Sequence, residues 1–184
     1  MSMIYMQSGS FGKAIAVFTR IKGMEDSTKT VKPTATIYSG RPVSLHAAAD
    51  ADQGSIEDIT AEVIVYGLAK FQKNSYIDEV VDDFGFYGSK KGTVILSGVV
   101  EVTHNVFSDP YTGVETTVKT YDDAQSYAPM TPLYVELTDT TKIGQITSVT
   151  TSANNGTFLG YALALDTTTK VLQILLAKPS VAGL

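Results

Sequence analysis

The chain of 184 residues contains no cysteine and no tryptophan, and only two histidines. Without cysteine there is no disulfide scaffold, no thiol nucleophile and no Cys-ligated metal. Such a composition suits a protein made in a reducing cytoplasm or one indifferent to redox state. Charge is scarce too. Charged residues make up 18% of the chain, where about a quarter is usual. That shortage, beside plentiful Thr, Val, Ser and Gly, points to surfaces that meet other protein. No run approaches about 18 consecutive apolar residues, so no transmembrane helix is expected. The opening MSMIYMQSGSFGK lacks a positive n-region followed by a long apolar core, so no secretory leader is expected either. Net charge is −5, with no basic tract long enough to follow a phosphate backbone. The densest pair, Lys90-Lys91, reads as a solvated turn before a strand, and nucleic-acid binding is not expected.

What the chain does have is a succession of short strands and turns. Residues 1–33 are expected to form an N-terminal arm that orders by docking, with an edge strand of the main domain as the alternative for Ala14–Phe18. Residues 34–184 are expected to form the domain proper. Thr34–Tyr38 and Val43–His46 flank the turn Ser39-Gly40-Arg41-Pro42, and Pro42 opens the second strand, where its missing N–H is tolerated. Ala47–Asp58 reads as a loop, and Ile59–Phe71 as a strand. Asn74–Tyr87 is the best place for a helix, with Ser75 as cap and Asp78 and Glu79 at its positive end. Thr93–Thr103 alternates Val94, Leu96, Val100 and Val102 on one face, and Gly98 predicts a bulge or bend. Residues 104–131 form a long excursion with a turn at Ser108–Gly113 and a returning hairpin strand over Val114–Tyr121. Leu133–Leu137, Ile143–Thr150, Thr157–Leu165 and Val171–Ala177 complete the set. Asn154-Asn155-Gly156 and Asp166–Thr169 supply turns. The fold class is mainly β, a barrel or sandwich with at most one short helix. The last two strands are apolar on both faces, as for strands that are central or covered by a neighbouring subunit.

Reactive groupings are absent from this pattern. His46 and His104 each stand alone among strand residues, short of the three or four ligands a zinc site needs. No G-x-S-x-G context appears. The acidic run Asp78, Glu79, Asp82, Asp83 lacks the alternation that wraps a calcium ion. Gly9-Ser10-Phe11-Gly12-Lys13 lacks both the spacing of a phosphate loop and the Ser or Thr after its lysine, where Ala14 stands. Asp109 and Asp139 read as turn formers, and Asn155-Gly156-Thr157 as a turn. No catalytic, cofactor-binding or metal-binding residue is assigned, and no enzymatic activity is expected.

An ordered set of segments resembles the cement, or decoration, proteins that stabilise the heads of tailed bacteriophages. Gly40-Arg41-Pro42-Val43-Ser44-Leu45 is similar to the family's G-x-x-V-S-L opening, and Val65-Tyr66-Gly67-Leu68-Ala69 to its (F/Y)G-(I/L)-A strand. Gly92–Val102 resembles the central V-x-V-L-x-x-G-x-V-x-V strand. Thr131–Val135 resembles G-D-P-L-Y-V, with Thr-Pro replacing Gly-Asp. The stretch from Lys142 to Leu176 is similar to the family's V-G-x-x…L-L ending. The resemblance spans residues 34–178 and leaves the arm and the excursion uncovered. It implies a small β-barrel, β-tulip-like domain bound to the capsid exterior of a virion. There it clamps major capsid protein as a homo-oligomer, trimer or dimer, without nucleic acid, membrane or cofactor. Two other readings stay open. One is a different virion protein (tail, head–tail adaptor or head-fibre base). The other is a carbohydrate-binding module or small β hydrolase, with Tyr76, Phe84, Phe86, Tyr87 and Tyr111 as the aromatic platform.

Overall fold

A computed structural model describes residues 6–8, 12–14, 16–18, 24–60, 64–73, 80–82, 90–108, 114–151, 153–154 and 157–177. Every regular element among them is a strand. The first six are β1 (Met6–Ser8), β2 (Gly12–Ala14), β3 (Ala16–Phe18), β4 (Glu25–Asp26), β5 (Pro42–Leu45) and β6 (Ile56–Asp58). Next come β7 (Val65–Ala69), β8 (Phe71–Gln72), β9 (Val81–Asp82), β10 (Val94–Ile95), β11 (Gly98–Val102) and β12 (Asn105–Ser108). The last five are β13 (Glu115–Val118), β14 (Pro132–Val135), β15 (Ile146–Thr147), β16 (Gly160–Asp166) and β17 (Val171–Leu176). They build a six-stranded sheet ordered β15-β14-β16-β17-β11-β3 and a five-stranded sheet ordered β4-β10-β7-β5-β6. A four-stranded sheet, β1-β2-β12-β13, and the pair β8-β9 complete the set, and the strand ladders are antiparallel.

The mainly β expectation agrees with this architecture; the barrel does not. Each sheet is open, with β15 and β3 at opposite edges of the largest one. The reason lies in the Thr93–Thr103 segment. The expected bend at Gly98 is a change of sheet: β10 pairs with β7 in the five-stranded sheet, while β11 pairs with β17 in the six-stranded one. Gly98 takes φ 121°, a conformation open to glycine and strained for other residues. One apolar segment thus serves two sheets and leaves neither free to close on itself.

Both sheets contribute to the main core. Leu68 of β7 and Ile95 of β10, cross-strand partners, join Val100, Val102, Leu133, Ile146, Leu172 and Ile174. Full burial of each such side chain contributes roughly 1.5–3 kcal/mol. Tyr121 and Tyr127 sit in the same cluster, edge to face with centroids 5.6 Å apart. The neighbouring partners Ala69 and Val94 face the other way, into a second cluster with Val31, Ile37, Val43, Ile56, Phe71 and Val80. The five-stranded sheet is therefore apolar on both faces, which is why Val65, Gly67, Leu68 and Ala69 are all buried.

Several expectations are revised. Within the segment predicted as helix, Val81–Asp82 runs as β9 against Phe71–Gln72. Val80 is 2% exposed and packs in the second cluster, so burial of this β-branched residue overrides the capping signal. The rest of Asn74–Tyr87 lies outside the described residues. Thr34–Tyr38 makes a single bridge, Ile37 to Lys73, instead of a strand. The end of the expected loop Ala47–Asp58 is strand β6, paired with β5. The excursion does return as a hairpin, with β12 and β13 in register from Asn105↔Val118 to Ser108↔Glu115. Ala16–Phe18 lies at an edge of the six-stranded sheet, beside β11.

The two C-terminal strands form the hairpin expected of them, with a break in alternation. The register shifts between Ala162 and Ala164. Ala162 pairs with buried Ile174, and Leu165 with buried Leu172. The bulge thus turns Leu165 inward, although strict period two would place it on the outer face with Tyr161. The loop is closed by Asp166, whose Oδ1 accepts from the N–H groups of Thr168 (2.8 Å) and Thr169 (3.1 Å).

Two stability experiments follow from this packing. Gly160 has φ 151°, and a Cβ there would lie 2.0 Å from the Leu175 carbonyl oxygen. Gly160→Ala should cost about 3 kcal/mol or more in chemical denaturation. Gly54→Ala, where a Cβ meets nothing within 4 Å at φ 79°, should cost about 1 kcal/mol. The buried Tyr127 hydroxyl donates to the carbonyls of Asp122 (2.9 Å) and Ile146 (3.0 Å). The Tyr121 hydroxyl is equally buried without a hydrogen-bonding protein group. Tyr127→Phe should therefore lose about 1 kcal/mol, while Tyr121→Phe should be neutral or stabilising.

Candidate functional site

Four polar assemblies interrupt the apolar framework. The first is built on the turn after Tyr38, closed by the Arg41 N–H donating to the Tyr38 carbonyl at 3.2 Å. Pro42 then opens β5, and the turn sends the Arg41 side chain across to the loop before β15. There its Nη2 donates to the Ile143 carbonyl. A Cβ on Gly144 would lie 2.5 Å from that nitrogen, so glycine is what lets the guanidinium reach the backbone. Burial of the guanidinium pulls its pKa below the usual value, opposed by the charges of Tyr38 and Asp58. Arg41 lines a cleft of about 500 Å³ with Thr36, Tyr38, Pro42, Asp58, Thr60 and Ile143. Crowding of the Asp58 carboxyl in the cleft wall pushes its pKa up, with Arg41 acting against it.

The second assembly gathers around His46. Its Nδ1 lies 2.9 Å from Glu57 Oε2 and its Nε2 3.0 Å from Asp50 Oδ2. Lys32 Nζ donates to the same Glu57 oxygen at 2.9 Å. The Asp50 hydrogen bond, then that of Glu57, hold the imidazole pKa above its ordinary value against burial. Asp50 is correspondingly lowered by His46, and Lys32 is raised by Glu57. His46, read from sequence as solitary, is thus clamped between two carboxylates. Both ring nitrogens face carboxylate acceptors, which favours imidazolium; Lys32 Nζ, 3.1 Å from Nδ1, opposes it as a like charge.

His104 is held differently. Its Nδ1 accepts the Thr120 N–H at 3.2 Å, so Nε2 carries the proton donated to Asp123 Oδ1 at 2.6 Å. The ring lies against Tyr121, centroids 4.3 Å apart. Buried Asn105 links the same corner to the turn before Arg41, donating to the Ser39 carbonyl at 3.0 Å. Nearby, Asp122 takes Lys142 at 2.9 Å. Burial works to raise the Asp122 pKa, but Lys142 and the Ala124 N–H outweigh it.

The fourth assembly fixes an edge strand. Buried Lys70 pairs with Glu25 at 3.2 Å, and the Tyr66 hydroxyl donates to Asp26. Burial and then that carboxylate push the Tyr66 phenol up to about 12. Lys73, also buried, donates to the carbonyls of Lys32 and Pro33. Each contact joins chain segments about 40 residues or more apart, which no local sequence pattern encodes. Charges that look like surface residues in the sequence are interior ties.

None of these assemblies places a nucleophile beside a base. Among the described residues there is no group of three or more His, Cys, Asp or Glu spaced to hold a metal ion, and no helix is long and apolar enough to cross a membrane. Of the acidic run, Asp82 is in β9; Asp78, Glu79 and Asp83 lie outside the described residues. So do Gly9–Phe11, Asp109, Asn155-Gly156 and all five residues of the expected aromatic platform. Asp139 forms its turn as expected, accepting from Thr141 N–H at 2.9 Å and hydroxyl at 2.7 Å. Tyr134, Phe158 and Tyr161 make an edge-to-face series at 6.0 and 5.3 Å. Tilted at 64° and 71°, the rings offer no common plane for a sugar to stack on.

No family model and no curated protein sequence matches the chain. Its fold, however, is shared. The chain is similar in fold to a chain of the solved structure "The capsid of Myoviridae Phage XM1". The TM-score is 0.55, and the likeness covers 95% of each chain at 17% identity. The class is therefore a mainly β protein with the fold of a chain from a phage capsid.

The His46 assembly carries a pH prediction. A raised folded-state pKa stabilises fully below the unfolded value of about 6.5, and that contribution fades as pH climbs through the folded pKa. The lowered Asp50 works oppositely, losing its contribution as pH falls below about 4. Denaturation midpoints should decline for the wild type on going from about pH 6 to 8, and His46→Gln should flatten that decline. Identical slopes for the two proteins would show that the clamp contributes nothing.

Proposed function

We propose that this chain is a structural, non-enzymatic virion protein, and specifically a cement or decoration protein. It binds the outside of a phage head and clamps neighbouring major capsid subunits as a homo-oligomer. The observation that carries this reading is the fold shared along 95% of both chains with a chain of the phage XM1 capsid. The ordered segments between Gly40 and Leu176 that resemble cement proteins add to it.

The mechanism is mass action. A protein that binds the expanded shell and not its precursor stabilises the expanded form by its binding free energy, and symmetry multiplies the effect over the surface. Residues 1–33 act as the arm and residues 34–184 as the body. Among the residues whose burial is described, both clusters lie between Val31 and Leu176, so the body is expected to keep these clusters without the first 20 residues. β3 and β4 are sheet edges, the kind of element that can be exchanged for pairing with another chain.

Removal of residues 1–20 should leave the far-ultraviolet circular dichroism that of a folded β protein and weaken co-sedimentation with expanded capsids. Undiminished co-sedimentation would remove the arm from the mechanism. Copy number in purified particles tests the wider reading. Cement should be present at a stoichiometry matching the shell lattice; a single ring of copies per particle would instead place the protein at a head–tail junction or fibre base.

A further inference from the structure

We propose that the cleft beside Arg41 is a binding site for a carboxylate carried on an extended peptide of a partner chain. Arg41 is a cation largely withdrawn from water. Its guanidinium makes one hydrogen bond among the described residues, from Nη2 to the Ile143 carbonyl, leaving four N–H donors of a planar fork without a hydrogen-bonded group there. Among the described residues, no carboxylate stands within ion-pair distance of it. A desolvated charge without a partner is costly, and here the free donors border about 500 Å³ of open cleft. The chemical complement is an anion, and the planar fork suits a carboxylate, which can accept two parallel hydrogen bonds. Asp58, which also lines the cleft and whose charge acts on Arg41, selects further. Its charge disfavours a phosphate of charge near −2 more than a carboxylate of −1.

The backbone indicates how the carboxylate arrives. β6 is the outer strand of its sheet. Ile56 directs its N–H and C=O away from β5, where they bond the Thr30 carbonyl (2.7 Å) and the Lys32 N–H (2.9 Å). By the period of two, the N–H and C=O of Asp58 point to the same outer side. The segment that covers Ile56 leaves the strand in a turn at Pro33, so among the described residues no other residue's backbone pairs with Asp58 there; its N–H turns to its own carboxylate, and its C=O is left for a partner. An open strand edge ending at a cleft with a free guanidinium is suited to strand addition, the main chain pairing with β6 and an acidic group entering the cleft. The inference concerns the isolated chain and holds whether or not the protein decorates a shell.

The test uses the full chain and calorimetric titration with four probes. These are a capped peptide of alternating Thr and Val with one central Glu, its Gln counterpart, the Gln peptide with a free C-terminal carboxylate, and sodium acetate. Expected is binding of the Glu peptide or the free-carboxylate peptide at least about tenfold tighter than the capped Gln peptide, the worth of one charge-assisted pair. The tighter of the two identifies the source of the carboxylate. Arg41→Gln should remove that preference. Because it also severs the tie to Ile143, Asp58→Asn provides a second reading with Arg41 intact and should tighten the acidic peptide. Binding of both carboxylate-bearing peptides no tighter than that of the capped Gln peptide, no binding by any peptide, or unchanged preference in a folded Arg41→Gln protein would overturn the site. Acetate binding as tightly as the peptides would overturn the strand-addition mode.

Discussion

The fold depends on one shared apolar contact, the packing of Leu68 and Ile95 from one sheet against Val100, Val102, Leu172 and Ile174 from the other. Two residues, Leu96 and Ser97, separate β10 from β11, so a single segment feeds both sheets and cannot slip in one without dragging the other. Register is pinned because a shift by one residue would exchange the two faces of β11. In the five-stranded sheet both faces are apolar, and a slip gains no polar surface. The Gly98 backbone conformation is the pivot on which this coupling turns.

Charged side chains then fasten the periphery to that centre. Lys70 with Glu25 and Tyr66 with Asp26 hold β4 at its edge. Lys73 holds the chain at Lys32 and Pro33, and Lys142 holds the loop at Asp122. Exposed ion pairs contribute little in general, but several of these have one member buried, so losing the partner would strand a charge in the interior. This use of a small complement of charge accounts for the two histidines as well: each is oriented by a carboxylate from a different part of the chain and neither faces a nucleophile. The cleft at Arg41 differs because its cation is partly buried with no ion-pair partner among the described residues.

A fold likeness at 17% identity speaks for architecture, since many activities are grafted on shared folds. What gives it bearing on function is the polar framework, which is arranged for holding segments together. A scaffold of open sheets with several edge strands is also suited to association, because strand edges left by one chain can be completed by another. The pairing of β2 with β12, at Lys13 and Val106, shows how this chain joins its own distant segments in that way.

Sequence alone determined the mainly β class, the hairpin Val171–Leu176 with its Asp166 turn, the returning strand after Val114, and the special role of Gly98. Each rests on local physics: alternation, turn chemistry or the conformational range of one residue. It did not determine that Gly98 changes sheets, that a bulge turns Leu165 inward, or that Val80 packs in the second core where a helix was expected. It also did not show His46 between Asp50 and Glu57, or Arg41 beneath Gly144. Those features depend on which distant segments meet. Contacts over tens of residues are selected by burial of the whole chain, and that selection exists only in the tertiary structure.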